Sequence, residues 1–468
     1  MKSTLLSLAA ISVLSYPLPA FADLDLGLAA FKRQDYKAAF REIESAARAG
    51  NSTAQKGLGY FFDQGYGTEK SYTQALTWYR KAAAQGDGSA MEQIGNYYAY
   101  GLGVKQDLPT AINWMRRAME VGTFAYPPII PGLTDTPNMK KRFGDTVAIT
   151  LEGFRRKAEQ GDTIAQVNLG YMYLIHLSTT PQNTEENKSQ AAGWMRKAAE
   201  SGHAGAQGIL GFMYAREFIG ERDQVQAVRW YELAANQGHA DAQYNLALIY
   251  SGNDSWKYSA EKSVSIDMGK AKEWAAKAAR HGSSRAQTAY GAILLKSGNT
   301  SKDYAEALSW LRKSAQQADP EAYVLIGDIY SSGAGVDKNY PQAITWYRKA
   351  IDSADSQVAY GRLGRMYEEG LGVPIDKTQA LQFYEKAADN TLDAQLHIKL
   401  ARMYEDGVGT PKNESKAMKH YGLATLSGDI ESMKKLRDVS EKGLLGQKAD
   451  PEKAKYWKER ISKESMAK

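Results

Sequence analysis

The sequence predicts an all-α fold built from about ten to eleven stacked helix pairs. Alanine and tyrosine are heavily used and β-branched runs are scarce, which favours helices. A short helix end of the form Ala-Ala-x-x-Gly also recurs, at 46–50, 82–86, 198–202, 234–238 and 278–282. Its last position, with its equivalents, falls at 50, 86, 122, 161, 202, 238, 282, 318, 354, 391 and 428. These positions are 36 to 44 residues apart, and a near-constant spacing of this length is typical of repeat proteins.

Each interval between these marks divides into two helices, as residues 362–389 illustrate. The first helix ends at Gly370-Leu371-Gly372, where glycine offers the positive φ angle of a helix C-cap. The second helix carries apolar residues at i, i+3, i+4, i+7 and i+8, the stripe of an amphipathic helix: Ala380, Phe383, Tyr384, Ala387 and Ala388. One such pair cannot bury its apolar stripe alone, so consecutive pairs are expected to stack.

Three short motifs recur in register within these intervals. They are Leu/Ile-Gly-x-x-Tyr (94–98, 169–173, 210–214, 326–330), Gly-x-Gly-Val (101–104, 333–336) and Ala-x-x-Trp-Tyr-x-Lys-Ala (75–82, 343–350). This pattern resembles the Sel1-like repeat family, a relative of the tetratricopeptide repeats, over roughly residues 36–460. The resemblance implies a right-handed α/α superhelical solenoid with a concave inner surface, and a role in binding other proteins.

The first 22 residues have the features of a secretory signal peptide. Lys2 supplies a positive charge, residues 5–14 form a short apolar stretch, and residues 20–22 (Ala-Phe-Ala) match a cleavage site. We expect cleavage before Asp23 and export to the periplasm, or alternatively secretion or display at the cell surface. No cysteine follows the cleavage site, so no lipid anchor is expected.

The remaining chain is divided by the regularity of its repeats. Residues 23–122 hold regular N-terminal repeats, residues 123–300 hold central repeats with irregular loops, and residues 301–468 hold the C-terminal repeats and a capping helix. A net charge of +6 spread over 468 residues does not predict a nucleic-acid-binding face. No other segment approaches 18 apolar residues, so stable membrane insertion is not expected, and we expect a monomer.

No catalytic residue, cofactor or metal is expected. The chain has no cysteine, which removes thiol catalysis and thiolate zinc sites, and it has no His-Glu-x-x-His or Gly-x-Ser-x-Gly motif. His203 and His239 occupy the same slot of successive repeats, so they should lie one repeat apart and not share a zinc ion. The tryptophans that recur in the second helix are interpreted as core residues.

Departures from the repeat concentrate between residues 123 and 300, and insertions in solenoids often lie on the binding face. The stretch 124–146, FAYPPIIPGLTDTPNMKKRFGDT, replaces or shortens one first helix, because Pro127, Pro128 and Pro131 oppose a helix. Whether it is a bend or a docking site stays open. The loop 251–269 holds Trp256, either as a binding anchor or folded under its own loop. The candidate partner-binding residues are Phe124, Tyr126, Lys140, Lys141, Arg142, Phe218, Trp256, Lys257 and Tyr258.

The sequence therefore favours a non-catalytic scaffold or adaptor of the bacterial cell envelope that binds a protein on its concave face and central loops. Two alternatives use the same surface. One is an immunity protein that neutralises a periplasm-acting toxin such as a lipase effector. The other is a secreted or surface binder of a host protein such as immunoglobulin A, as the resemblance implies for some family members. An enzyme is not indicated.

Overall fold

The computed structural model describes residues 27, 30–31, 33–120, 152–177, 184–253, 263–298, 300–389 and 391–466. Within those ranges the chain consists of α-helices joined by short turns, and none of these residues lies in a β-strand. The predicted all-α solenoid of helix-turn-helix repeats is confirmed.

The chain divides into two compact units, one ending at Asp319 and the other beginning at Pro320. The first unit contains α1 (Tyr36–Arg48), α2 (Ser52–Gln64), α3 (Tyr72–Ala84), α4 (Gly88–Tyr100), α5 (Leu108–Glu120), α6 (Thr163–Leu177), α7 (Thr184–Glu200), α8 (Ala204–Ala215), α9 (Gln224–Asn236), α10 (Ala240–Ser251), α11 (Met268–Arg280), α12 (Ser284–Ser297) and α13 (Ser301–Ala315). Residues 152–159 are also helical.

The second unit contains α14 (Pro320–Ser332), α15 (Tyr340–Ala354), α16 (Gln357–Glu369), α17 (Lys377–Ala387), α18 (Ala394–Asp406), α19 (Glu414–Leu426), α20 (Ile430–Lys442) and α21 (Pro451–Met466). From α2 onward, even-numbered helices are the first helices of repeats and odd-numbered helices are the second. Within each unit, every even helix packs against the odd helix that follows it, and that odd helix against the next even one along most of the array.

The core between these helices is formed by alanine together with larger apolar side chains. Ala206 and Leu210 on α8, for example, have no exposed surface. Small residues let neighbouring helices approach closely, and the aromatic residues fill the remaining volume. Of the recurrent tryptophans interpreted as core residues, Trp78, Trp194 and Trp274 are buried, each at most 9% exposed, whereas Trp114, Trp230, Trp310 and Trp346 are half-buried.

The two glycines of the turn between helices have different tasks. Gly65 ends α2 in the left-handed conformation (φ +77°), and its N–H donates to the carbonyl of Phe61. Gly67 lies against the carbonyl of Tyr36, where a Cβ atom would collide with the backbone. The first glycine therefore caps a helix, while the second lets the turn contact the preceding odd helix.

Candidate binding surface

Neutral hydrogen bonds connect consecutive repeats in the first unit. The fourth residue of α2, α8 and α10 is a buried glutamine whose Nε2 donates to the carbonyl of an alanine eight residues earlier, near the end of the preceding odd helix. The bonds are Gln55 to Ala47 (3.1 Å), Gln207 to Ala199 (3.0 Å) and Gln243 to Ala235 (3.0 Å). A second glutamine, Gln237 at the end of α9, donates to Gln207 Oε1 at 2.7 Å. These bonds fix the even helices in register.

The opposite side of the even helices, away from their core-facing stripe, is apolar in the middle of the chain. One helical face of α6, α8, α10 and α12 presents large apolar residues that are only partly covered. We call this set the central apolar face: Ile164, Ile209, Phe212, Tyr244, Leu248 and Leu295. Ile164 is 41% exposed, and the others are half-buried.

The corresponding face of the second unit is charged. Arg362 on α16 pairs with Asp328 on α14, with Nε and Oδ1 2.7 Å apart, and the hydroxyl of Tyr347 donates to the same carboxylate at 2.8 Å. Two further sets repeat this arrangement: Lys399, Glu368 and Tyr384, then Lys435, Glu405 and Tyr421. We call them acid–tyrosine–cation bridges. On this side of the repeats, α6–α12 carry partly covered apolar residues, with Arg216 over the Phe212 ring and Arg285 over the Tyr244 ring, whereas the second unit carries paired charges.

The odd helices carry tryptophans covered by a cation three residues later. Lys81 Nζ lies 3.8 Å from the ring centroid of Trp78, and equivalent pairs join Trp114 to Arg117, Trp194 to Lys197, Trp274 to Lys277, Trp310 to Lys313 and Trp346 to Lys349. Helix α9 departs from this pattern, because Leu233 stands where the cation would follow Trp230 and is 44% exposed.

A polar cluster lies where α4, α5 and α6 meet, and we call it the α4–α6 polar cluster. Asn168 on α6 donates from Nδ2 to Oδ1 of Asn113 on α5 at 3.0 Å. Tyr171, one turn further along α6, has no exposed surface, and Asn168 is 1% exposed. Glu92 and Asn96 come from one face of α4, and burial raises the pKa of Glu92 to about 7.

A histidine pair lies in the second unit. His397 on α18 is 2% exposed, and its Nδ1 is 3.1 Å from Nδ1 of His420 on α19. His397 Nε2 lies 3.0 Å from the carbonyl of Thr391, and the ring of His420 stacks on Tyr404. Burial, together with the neighbouring His397, lowers the pKa of His420 to about 4.

This pair was not predicted from the sequence, although the positions of the two histidines within the repeat indicate it. His397 occupies the fourth position of its even helix, the place of Gln55 and Gln207. His420 occupies the seventh position of its odd helix, the place of Trp78 and Trp230.

The two histidines that the sequence places at equivalent turns cap helices. His203 and His239 precede α8 and α10, and the Nδ1 atom of each accepts a hydrogen bond from a backbone N–H three residues later, at 3.2 and 3.3 Å. Burial lowers the pKa of His239 to about 4, with His203 adding to the effect. Among the residues that the structure describes, no cluster of three or more His, Cys, Asp or Glu side chains could hold a metal ion.

Most of the candidate residues from the sequence lie outside the described ranges. These are Phe124, Tyr126, Lys140, Lys141, Arg142, Trp256, Lys257 and Tyr258. Phe218 is described: it is half-buried, packs on the core between α6 and α8, and its ring centroid is 5.9 Å from that of Phe212. It therefore lies beside the central apolar face. Among the helices in the described ranges, none has the length and apolarity needed to cross a bilayer.

A Sel1 repeat model matches ten stretches of the chain: 52–87, 88–122, 163–203, 204–239, 240–283, 284–319, 320–355, 357–392, 394–429 and 439–462. No protein of curated function matches the chain by sequence.

Several solved structures are similar to the chain. A protective antigen with an SLR fold from uropathogenic Escherichia coli is 27% identical, with 90% of this chain and 87% of that chain covered and a TM-score of 0.48. A Sel1 repeat protein from Oxalobacter formigenes is 27% identical over 59% and 92% of the two chains, with a TM-score of 0.38. An immunity protein from Pseudomonas aeruginosa is 21% identical over 48% and 81%, with a TM-score of 0.32.

Proposed function

Because the chain belongs to the Sel1 repeat family, whose members are generally protein-interaction scaffolds and typically non-catalytic, we propose that it is a non-catalytic scaffold binding a partner protein through the central apolar face. The partner is expected to present apolar side chains to this face. Such a role needs a rigid array and an exposed surface of suitable chemistry, and it needs no reacting group.

The observation that carries this proposal is the contrast between the two units on the same side of the repeats. Charged residues stand at these positions in α14–α20, where they pair with one another. Partly exposed apolar residues stand there in α6–α12. Several partly exposed apolar residues on one face commonly mark an interaction site, whereas single exposed apolar residues need no explanation.

Phe212 and Tyr244 are the proposed anchors within the central apolar face. Aromatic side chains dominate binding energies when they fill a pocket of the partner, since they bury a large area at low entropic cost. Each lies on an even helix held in register by a buried glutamine, Gln207 on α8 and Gln243 on α10. The anchors are therefore presented on a rigid support.

We place this activity in the bacterial cell envelope, after export directed by residues 1–22. The support is the positive charge of Lys2, the apolar stretch 5–14 and the cleavage pattern at 20–22. N-terminal sequencing of the protein recovered from an osmotic-shock fraction tests this. A chain that begins at Asp23 is expected, and an uncleaved chain in the cytoplasmic fraction would contradict export.

Site-specific photo-crosslinking tests the binding surface. A photoreactive amino acid is placed at Phe212 or Leu248 in producing cells, with Glu273 on the outer side of α11 as the control position. We expect one discrete crosslinked protein from the two face positions and none from Glu273. Equal crosslinking at all three positions would contradict a specific surface.

The crosslinked protein is then purified, and its affinity is measured by calorimetry. We expect Phe212→Ala to weaken binding by roughly 30-fold or more, the range of an interface hot spot, while Glu273→Ala leaves affinity unchanged. Unchanged affinity in Phe212→Ala would refute the assignment of this anchor. The identity of the partner separates the three expected roles: an envelope component, a toxin or a host protein.

A further inference from the structure

We infer that the α4–α6 polar cluster is a binding site for a cationic side chain, a lysine ammonium or an arginine guanidinium, that the partner protein inserts. This inference rests on the proposed function and adds to it the charge that the partner should carry. The site is formed by Glu92 on α4, whose charge acts on Tyr171, and by Asn168 and Tyr171 on α6; Asn96 lies one turn after Glu92 on α4.

The first argument is that hydrogen-bonding capacity is left unused inside this cluster. Among the described residues, the Tyr171 hydroxyl, Asn168 Oδ1 and Asn96 Oδ1 are buried and have no hydrogen-bond partner. Leaving one such group unsatisfied costs about 1–3 kcal/mol, so several in one place are unusual in a structure that gives them no purpose. The amide of Asn168 is oriented by its bond to Asn113, which leaves its oxygen as the unsatisfied atom.

The second argument is the chemical type of these groups. Two amide oxygens and the Glu92 carboxylate accept hydrogen bonds, and a tyrosine hydroxyl can also accept one. A ligand that satisfies them donates several hydrogen bonds, and a positively charged donor is favoured because charge-assisted bonds to a carboxylate are the strongest available here. An anionic ligand would meet acceptors and a carboxylate, and would be repelled.

The third argument is electrostatic. Burial raises the pKa of Glu92, and burial followed by the charge of Glu92 raises that of Tyr171, so the carboxylate and the hydroxyl act on each other. A raised carboxyl pKa is the expected state of a carboxylate that lacks a cation. A bound ammonium or guanidinium would favour the charged form and lower the pKa of Glu92.

The position of the cluster connects it to the central apolar face. Glu92 and Asn96 are only half-buried, which leaves an approach to the cluster from solvent. Ile164 lies two helical turns before Tyr171 on the same face of α6 and is 41% exposed. A partner segment that covers the apolar residues of α6–α12 would therefore bring a cationic residue into the cluster at the α4 end.

The test uses the full chain with two cationic probes, N-acetyl-arginine amide and N-acetyl-lysine amide, and a neutral probe, N-acetyl-glutamine amide, at matched ionic strength. The readout is the titration of the Glu92 carboxyl, followed by NMR with carbon-13 at the glutamate carboxyls. We expect a cationic probe to lower the pKa of Glu92 with millimolar affinity, and the neutral probe to leave it unchanged. Equal responses to charged and neutral probes would overturn the site.

Two variants make the result specific. Glu92→Gln should abolish binding of the cationic probes while preserving the size of the side chain. Tyr171→Phe should weaken binding several-fold yet leave the melting temperature unchanged or higher, because the hydroxyl has no partner in the free protein. Unchanged probe affinity in Glu92→Gln would refute the proposal.

Two further comparisons identify the source of the cation. If the triple variant Lys140→Ala, Lys141→Ala and Arg142→Ala raises the pKa of Glu92 in the free protein, the chain's own basic residues supply the cation, and the proposal is wrong. If Phe212→Ala loses partner binding but still binds the cationic probes, the assignment of the α4–α6 polar cluster as a cation site stands. Intact partner binding in Glu92→Gln would instead overturn only the claim about the partner's charge.

Discussion

Acidification should loosen the repeat formed by α18 and α19, because it holds two histidines where other repeats hold glutamine and tryptophan. His397 Nε2 faces the Thr391 carbonyl, so we assign its proton to Nε2. His397 Nδ1 then accepts from the Nδ1–H of His420, 3.1 Å away. An added proton would go to His420 Nε2 and leave this bond in place, but it would charge a half-buried ring close to the cations Lys416 and Lys419, whose effect Glu385 opposes.

The size of the effect follows from the pKa of His420, which burial lowers from 6.5 to about 4. At 1.36 kcal/mol per pKa unit, this difference corresponds to at most roughly 3 kcal/mol, and we expect about 1–2 kcal/mol because the ring is only half-buried and solvent screens it. Between these two pH values the unfolded repeat binds a proton that the folded repeat does not. The neutral histidine pair therefore contributes its full stabilisation of the folded repeat above pH 6.5, and this stabilisation is lost as the pH falls towards 4.

Hydrogen exchange measured by mass spectrometry at pH 7.5 and 5.5, corrected for intrinsic rates, tests this repeat within the full chain. We expect the opening free energy of α18 and α19 to fall at pH 5.5, while α16 and α17, with Tyr360 and Phe383 in the same slots, keep theirs. The double variant His397→Gln and His420→Trp restores the residues of other repeats and should abolish the difference. The reasoning would be refuted if the opening free energy fell equally in both repeats, or if it fell as much in the double variant as in the original chain.

Four further substitutions test the packing. Ala318→Gly should stabilise the chain by about 0.5–1 kcal/mol, because Ala318 has φ +63° where most repeats have glycine; a lower melting temperature would contradict this. Gly327→Ala should lower the free energy of unfolding in denaturant melts by about 1–3 kcal/mol, because its Cβ would lie 2.5 Å from Tyr347. Gly422→Ala, with open space around it, should raise the free energy of unfolding by about 1 kcal/mol. Gln207→Met should increase hydrogen exchange at the start of α8, since it removes the bond to the preceding repeat; unchanged exchange would show that this bond is dispensable.

The repeat boundaries could be predicted from the sequence because they are set by local chemistry. An Ala-Ala-x-x-Gly end specifies where an odd helix stops, and the glycines at 50 and 86 adopt the positive φ angles that the turn requires. The amphipathic stripe of each second helix is local too, so the burial of Trp78 followed from its spacing.

The contacts between side chains depended on how repeats pair in space. His397 and His420 are 23 residues apart, and their contact appears only once each is assigned to its slot in the repeat. The partial exposure of Phe212 and Leu248 could not be predicted either, because periodicity counts apolar positions without showing which neighbours cover them. The proposed roles of Tyr126 and Trp256 stay predictions, since both lie outside the described residues.

The different links between repeats imply that dissolved salt acts unevenly along the chain. The glutamine-to-carbonyl bonds of the first unit carry no net charge, so added ions leave them almost unaffected. The acid–tyrosine–cation bridges, such as the one joining Arg362 to Asp328, are partly exposed to solvent. Screening shortens the reach of such charges from about 10 Å at 0.1 M salt to about 3 Å at 1 M. High salt should therefore weaken these bridges of the C-terminal unit more than it weakens the neutral glutamine bonds of the first unit.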